Sequence, residues 1–284
     1  MVISPQRTQR YAEECLNDRT MTTQNSPAQA GAVIEHFDKM STKGDWSRLY
    51  ESLDGRNYHF HVRRNRVLEL LPEKLGRVLD VGCGPGVMTE VVLERGGVFD
   101  GVDLSPEMVR EASEKFGDLA NVSFGVGNIE SIDARDETYD QLICMAVIEY
   151  LKTPDRAMSE MSRVLKPDGV AIITVPKRWH VSRVTVAATM PVRLLAKLLG
   201  AATADHLPRL RLQPDELDEA ARRAGLTPDG RSQYHFTPIA YPLTRVAPAL
   251  TMRLNLPFEK LHSARGSFTS FWAHGYVARY RKGK

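Results

Sequence analysis

Cysteine is scarce in this chain of 284 residues, and the three cysteines lie far apart, at Cys15, Cys83 and Cys144. No C-x-x-C pair and no cluster of histidine with cysteine accompanies them, which argues against zinc, and we expect no metal site. Three separated cysteines also provide no disulfide framework. The composition therefore favours a protein of the reducing cytoplasm.

The sequence also lacks a long hydrophobic run. No apolar stretch approaches the roughly 18 residues that a membrane-spanning helix needs, and residues 1–30 are polar, without the apolar centre of a secretory signal. The formal net charge is only +3, which by itself does not indicate nucleic-acid binding. With 42% hydrophobic residues, the chain can form one large core with appendages, or two small domains.

What the sequence does contain is a glycine loop between a buried strand and a helix. Residues 78–81 form the apolar run of a strand covered on both faces, and Gly82, Gly84 and Gly86 follow at every second position. Glycine permits a positive φ and lets a ligand approach the backbone closely. A helical pattern starts at Val87, and free N–H groups at its start would attract a carboxylate or a phosphate.

A second apolar run, residues 98–102, ends in a carboxylate at Asp103, which lies 103 − 82 = 21 residues after Gly82. In a strand–helix–strand unit this spacing places Asp103 at the tip of the neighbouring strand, where it can accept hydrogen bonds from two ribose hydroxyls. The dinucleotide fingerprint is G-x-G-x-x-G, but here Val87 occupies the third glycine position, which disfavours a nicotinamide oxidoreductase. Asp80 would repel a pyrophosphate but suits an ammonium group.

These segments resemble the motifs of class I S-adenosylmethionine-dependent methyltransferases, in particular small-molecule enzymes of the ubiquinone and menaquinone type. Val-Leu-Asp-Val-Gly-Cys-Gly-Pro-Gly is similar to motif I of that family, and Gly-Val-Asp-Leu-Ser-Pro-Glu-Met to its second motif. Three later segments resemble the adenine-contacting segment, the fourth strand with its turn, and the stretch into the fifth strand. The resemblance covers roughly residues 60–180, and its segments are 78–86, 101–108, 127–130, 139–151 and 163–176.

The resemblance implies an α/β, Rossmann-like class I methyltransferase fold. Its seven-stranded, mostly parallel sheet would carry helices on both faces, with N-terminal helices and a helical insertion after the fifth strand. The predicted domains are a flexible leader at 1–30, a helical lid at 31–75, and a core at 76–284 with substrate-side insertions at about 177–212 and 238–265. Local patterns predict helices at 32–40, 62–71 and 214–224, a turn at 166–169, and strands at 78–81, 98–103, 122–126, 142–145, 170–175, 226–236 and within 270–281.

The resemblance also implies S-adenosylmethionine as the cofactor and a set of residues that contact it. Asp80 would contact the methionyl ammonium or, alternatively, brace the loop. Asn128 lies where many relatives carry aspartate, and its amide oxygen can accept a hydrogen bond from the adenine amine. Arg63 and Tyr58 are candidates for binding the methionyl carboxylate, although Arg63 suits a solvated helix position equally well. The implied cofactor-binding residues are Asp80, Gly82, Cys83, Gly84, Gly86, Asp103, Leu104, Met108, Asn128, Ile129, Met145, Arg63 and Tyr58.

A catalytic base is harder to find in the sequence. Methyl transfer is an in-line displacement that depends mainly on alignment, so a strong acid–base pair is not required. Histidine is the natural base near neutral pH, and His180 is the candidate because it follows the fifth strand at the expected mouth of the substrate site. Tyr150 occupies a position where some relatives have histidine.

The segment 177–211 carries seven Lys or Arg residues and one acidic residue, a charge of 7 − 1 = +6. Within it, residues 192–199 have the pattern of a basic amphipathic helix, which either lines the site of a hydrophobic, acidic acceptor, contacts a membrane, or packs on the core. We therefore expect a cytoplasmic small-molecule methyltransferase, most of all one that methylates oxygen. An RNA methyltransferase is disfavoured because Trp179 is the one aromatic residue of the segment. A non-catalytic S-adenosylmethionine-binding module is a further alternative.

Overall fold

The computed structural model describes residues 27–42, 45–51, 57–181, 207, 209–237, 247–263 and 267–284. Its strands are β1 Arg77–Val81, β2 Val98–Asp103, β3 Val122–Val126, β4 Tyr139–Cys144, β5 Leu165–Pro176, β6 Leu226–Phe236 and β7 Ala273–Lys282. Its α-helices are α1 Pro27–Thr42, α2 Asp45–Glu51, α3 Tyr58–Leu70, α4 Thr89–Glu94, α5 Pro106–Phe116, α6 Asp155–Val164, α7 Pro214–Arg223, α8 Pro248–Asn255 and α9 Ser267–Trp272. Two 3-10 helices cover Ile148–Tyr150 and Leu256–Leu261.

The seven strands form one sheet in the order β3-β2-β1-β4-β5-β7-β6. Strands β1 to β5 pair in parallel, whereas β7 is antiparallel to both of its neighbours, β5 and β6. The predicted seven-stranded, mostly parallel sheet is thus confirmed. The strand order reverses between β1 and β4, and ligands of open α/β sheets bind in the crevice at the carboxyl ends of such a pair.

Helices cover both faces of the sheet. The strands are therefore buried on both sides, which explains why their sequences are nearly continuous apolar runs. Successive side chains of a strand point to opposite faces. On β1, Leu79 packs with a cluster that includes Met158 of α6 and Leu217 of α7. Its neighbour Val78 packs with the opposite cluster, which includes Val67 of α3 and Val92 of α4.

The start of β5 differs from the sequence prediction. The predicted turn at 166–169 lies inside the strand, where the pairing passes from Tyr139↔Leu165 to Gln141↔Val170. Four residues of β5 therefore bulge out of the ladder, and Asp168 takes a φ of 61° within the bulge. The turn residues produce a bulge instead of ending the strand.

The insertion predicted at about 238–265 is partly helical, because its described part holds α8 and the second 3-10 helix. Pro248 and Pro257 lie in the first turns of these helices, where proline is tolerated because no backbone N–H is needed there. The last strand, predicted within 270–281, starts at Ala273 after α9.

Several predictions concern residues outside the described ranges. They are the first 26 residues of the predicted leader and the amphipathic helix at 192–199, with Arg193 and Lys197. Within the described ranges, every helix is too short or too polar to cross a bilayer.

Ser105 joins α5 to the N-terminal helix α1, and we expect Ser105→Ala to destabilise the protein. Its hydroxyl accepts the N–H of Met108 at 3.2 Å, which caps α5, and also hydrogen-bonds the carboxylate of Asp38 in α1. Loss of this cap should lower the free energy of unfolding by about 1–2 kcal/mol, measured by urea denaturation. Ser113→Ala, at an exposed position of the same helix, is the control and should change it by less than about 0.5 kcal/mol. Equal effects of both substitutions would contradict the capping role.

Candidate active site

The glycine loop turns sharply at the carboxyl end of β1. Gly82, Gly84 and Gly86 have φ values of 73°, 53° and 79°, a region that other residues rarely adopt. A Cβ atom on Gly82 would also lie 2.1 Å from Cγ2 of Val147, and one on Gly84 would lie 3.2 Å from the indole nitrogen of Trp46. A side chain at position 82 would therefore clash with Val147, and one at position 84 would require Trp46 to shift slightly.

Asp103, at the end of β2, is fixed to this loop by backbone hydrogen bonds. One carboxylate oxygen accepts the N–H of Gly84 and the other accepts the N–H of Ser105, both at 2.9 Å. Burial raises the pKa of Asp103, while these backbone N–H groups oppose the rise. A carboxylate has about four acceptor positions, so both oxygens keep capacity for the hydroxyls of a ribose.

A pocket that is partly open to solvent lies at the predicted crevice. Eight of the residues predicted to bind the cofactor line it: Gly82, Gly84, Asp103, Leu104, Met108, Asn128, Ile129 and Met145.

The N-terminal helices supply the opposite wall of the pocket. Ala30, Val33 and Phe37 of α1 and Trp46 of α2 line it. The ring of Phe37 contacts those of Trp46 and Tyr150 edge-on, each at a centroid distance of 5.4 Å. These four side chains were not among the predicted site residues, although the spacing i, i+3, i+7 of the first three is typical of one helix face.

The turn after β3 holds Asn128 in a defined orientation. Its side-chain oxygen accepts the N–H of Glu130 at 2.9 Å, so the acceptor expected to meet the adenine amine already has one partner. An amide oxygen can accept a second hydrogen bond, and the predicted contact remains feasible.

A backbone feature that the sequence does not reveal lies at the end of β4. Ala146 has a φ of 63°, which is unfavourable for a residue with a Cβ atom. Its N–H donates to the hydroxyl of Thr174 on β5 at 2.8 Å, which holds the conformation. Ala146 lines the pocket, so this strain sets the shape of the wall.

Asp80 is a buried carboxylate without a counter-charge. It is 1% exposed, and among the described residues neither of its oxygens has a hydrogen-bond partner. Burial, followed by the charge of Asp103, raises its pKa to about 8. Asp80 itself does not line the pocket, but Val81 and Gly82, which follow it, do. A cation bound there would compensate the buried carboxylate, directly or through water.

The remaining predicted site residues lie outside this pocket. Cys83 faces the core, where burial raises the pKa of its thiol. Gly86 packs so closely on Phe116 that a Cβ atom on Gly86 would lie 3.0 Å from the phenyl ring. Arg63 is buried. Its guanidinium carbon lies 5.2 Å from the centroid of the Phe60 ring, and its Nη2 donates to the Tyr50 hydroxyl at 3.2 Å. Their roles in cofactor binding stay predictions.

Tyr58 and His180 lie at a row of four histidine rings near the carboxyl ends of β5 and β6. The centroid distances are 4.2 Å from His180 to His274, 4.2 Å from His274 to His235, and 5.2 Å from His235 to His59. Tyr58 contacts His235 at 5.2 Å. Burial lowers the pKa of His235 and His274 well below the usual value, so these two rings are neutral at physiological pH.

The row does not form a metal site by its geometry. In the part of the chain that the structure describes, no group of three or more His, Cys, Asp or Glu side chains is arranged to hold a metal ion.

Comparison with known proteins agrees with this geometry. A family described as "Methyltransferase domain" matches residues 79–173. The chain is 29% identical to a ubiquinone biosynthesis O-methyltransferase of Bordetella avium over 235 residues, 77% of this chain and 92% of that protein. It is also 29% identical to a malonyl-[acyl-carrier protein] O-methyltransferase of Halalkalibacterium halodurans over 150 residues, 49% of this chain and 55% of that protein.

A solved structure shares the fold. Magnesium protoporphyrin IX methyltransferase from Synechocystis PCC 6803, solved with S-adenosylhomocysteine bound, superposes with a TM-score of 0.55 at 16% identity, over 89% of this chain and 99% of that one. The sheet order and the pocket at its switch point are those of a class I methyltransferase. Residues 79–173 match a methyltransferase domain, and the alignment with the O-methyltransferases together with the sheet order supports a class I S-adenosylmethionine-dependent methyltransferase.

The residues present fit S-adenosylmethionine. The orphaned carboxylate of Asp80 suits the ammonium group, the two oriented oxygens of Asp103 suit the ribose, and the space that the glycine loop leaves free admits the methionyl part. Ile129 and Met108 supply apolar surface where the resemblance places the adenine.

Asp80→Asn is expected to stabilise the free protein increasingly as the pH rises. The pKa of Asp80 is about 8 in the folded protein against a usual value of 3.8, so the folded state binds this proton more tightly than the unfolded chain does. Its contribution to the free energy of unfolding therefore falls as the pH rises between these two values and levels off above them. Asparagine does not titrate, and the advantage of the variant should grow through that window in urea unfolding.

The same variant should bind S-adenosylhomocysteine more weakly, by about 1.5–3 kcal/mol, because a charged partner of the ammonium is lost. Isothermal titration calorimetry measures this, with the exposed Asp118→Asn as control. A stabilised variant with unchanged affinity would mean that Asp80 only braces the loop.

Asp103→Ala should weaken the binding of S-adenosylmethionine by about 1.5–3 kcal/mol, because charged hydrogen bonds to the ribose are lost. Calorimetry on the folded variant, with circular dichroism as the check on folding, measures the change. Asp118→Ala, after α5, is the matched control. Full affinity in a folded Asp103→Ala protein would refute the assignment.

Proposed function

We propose that this methyltransferase transfers the methyl group to an oxygen atom of a hydrophobic small molecule, such as a lipid-like, quinone-like or natural-product acceptor. The observation that carries the proposal is the alignment with the ubiquinone biosynthesis O-methyltransferase, which extends over most of both chains. The apolar and aromatic wall that α1 and α2 place over the pocket supports it, since such a wall excludes water.

Bound S-adenosylmethionine supplies a methyl group on a cationic sulfur. The acceptor oxygen would form the new bond to the methyl carbon as the bond from carbon to sulfur breaks. The negative charge of a deprotonated oxygen and the positive charge of the sulfonium would then both decrease in the transition state. A dry pocket favours such a reaction. The task of this chain is therefore to align the reactants and exclude water, a contribution that can reach several kcal/mol.

The proton of the acceptor hydroxyl must leave the site, and we assign its removal to His180. The side chain is 7% exposed and follows β5, whose Thr174 hydroxyl holds Ala146 in the pocket wall. His274, with which it is in ring contact, is kept neutral by burial and does not add a competing positive charge.

The segment 177–211 belongs to the same proposal. Its apolar and cationic residues suit a hydrophobic acceptor with an acidic head or a contact with a membrane surface. Arg209, within this segment, ion-pairs with the buried Glu149 at 3.2 Å and stacks over the ring of Tyr150 in the pocket wall, 5.5 Å from its centroid. This part of the segment thus adjoins the pocket.

Incubation with S-adenosylmethionine labelled in the methyl group and a fractionated cell extract tests the function. Label should enter a small organic-soluble molecule, and mass spectrometry should locate the added methyl on oxygen. The Asp103→Ala variant should transfer little label, because it binds the donor weakly. His180→Gln should slow transfer most where the parent's imidazole is neutral, and the difference should shrink at low pH, where a protonated imidazole accepts no proton. Label in RNA would support the nucleic-acid alternative. Binding of the donor without any transfer would support a non-catalytic module.

A further inference from the structure

In helix α8 two polar side chains face inward and two leucines face outward, although Met252 packs against the core. Thr251 and Asn255 are 2% and 0% exposed, whereas Leu250 and Leu254 are 50% and 41% exposed. Residues four apart share a helix face, so each pair defines one side of α8. This is the reverse of the arrangement in a surface helix that packs on a hydrophobic core.

The reversed pattern continues through the 3-10 helix that follows. Phe258 and Leu261 lie three residues apart, which places them on one face of a 3-10 helix, and they are 40% and 37% exposed. Leu256 is 44% exposed, while Glu259 is 5% exposed. We call the five exposed side chains, Leu250, Leu254, Leu256, Phe258 and Leu261, the apolar ridge. They are five of the nine large apolar side chains exposed in the described parts of the chain.

Polar contacts to β6 and α3 hold this orientation. The carboxylate of Glu259 accepts the backbone N–H of Phe236 at 2.7 Å and that of His235 at 3.2 Å. Arg66 of α3 donates to the carbonyl of Glu259 at 2.8 Å, and the N–H of Gln233 donates to the carbonyl of His262 at 2.8 Å. Turning the apolar ridge inward would break these bonds and bury unpaired groups, so the outward direction is fixed.

The exposed charges within the ridge segment are both positive. Arg253 and Lys260 are the exposed charged residues of 248–261, and the acidic Glu259 is buried. Glu69 of α3, 3.9 Å from His262, is ion-paired with Arg66 at 2.6 Å. Leucine and phenylalanine beside exposed lysine and arginine are typical of a segment that lies in the interface of an anionic membrane.

The size of the apolar ridge decides between a membrane and a protein partner. A stable protein interface uses roughly 20–30 residues on each side, far more than the five apolar side chains of this ridge. Interfacial membrane binding needs only a few inserted side chains and nearby cations. We propose that residues 248–261 dock the protein onto an anionic membrane surface, with the apolar ridge inserted and Arg253 and Lys260 at the lipid headgroups. The docking is a separate property from methyl transfer and does not depend on the acceptor.

Co-sedimentation of the full chain with vesicles tests the docking. The chain should bind vesicles of phosphatidylcholine with phosphatidylglycerol more strongly than vesicles of phosphatidylcholine alone, and added salt should weaken the difference. The double variant Leu254→Ser, Phe258→Ser should lower the partition coefficient at least about tenfold. Arg253→Glu, Lys260→Glu should abolish the preference for anionic vesicles.

The matched control is Leu119→Ser, which removes a side chain of similar exposure, 45%, between α5 and β3. It should bind vesicles like the parent, and thermal melts should show that all variants are folded. Failure of the parent to bind anionic vesicles would overturn the proposal, as would equal binding by the ridge and control variants. Light scattering that shows a dimer in the parent and a monomer in the ridge variant, without vesicle binding, would assign the ridge to a second copy instead and likewise overturn it.

Discussion

The site depends on two hydrogen bonds that the carboxylate of Asp103 accepts from the backbone N–H groups of Gly84 and Ser105. They hold the loop after β1 against the end of β2. The hydroxyl of Ser105 in turn hydrogen-bonds Asp38 and so connects this region to α1. The glycine loop, the carboxylate of Asp103 that is predicted to bind the ribose, and the N-terminal wall of the pocket are therefore held by the same hydrogen bonds. A shift of Asp103 would alter all three.

Much of this arrangement could be predicted from the sequence because it is local. Glycine at alternate positions after an apolar run, and an acid at a fixed distance, are set by one strand–helix–strand unit. Gly82, Gly84 and Asp103 were predicted for that reason, and the structure places them at the pocket. Asp80 was predicted because a carboxylate beside a glycine loop suits an ammonium group, a role that stays a prediction. The sequence could not show that both of its oxygens lack hydrogen-bond partners among the described residues.

The rest depends on tertiary structure. The spacing of Ala30, Val33 and Phe37 shows that they share a helix face, but not that this face meets the pocket. No local signal marks Ala146, because its strained φ is imposed by Thr174 on another strand. Leucine is normally predicted to be buried and polar residues to be exposed, but in α8 Leu250 and Leu254 are exposed while Thr251 and Asn255 are buried. The hydrogen bonds that Glu259 accepts from β6 help to determine which side of this segment faces inward.

The position of β7 has a consequence for how the chain is made. β7 lies between β5 and β6 in the sheet, yet it follows both in the sequence. While the ribosome synthesises the roughly one hundred residues after β5, that strand offers an unpaired edge, and β6 has no place in the sheet until β7 emerges. Open strand edges invite association between chains. The nascent protein thus passes through a stage in which its half-built sheet needs protection, and slower translation beyond β6 would lengthen that stage.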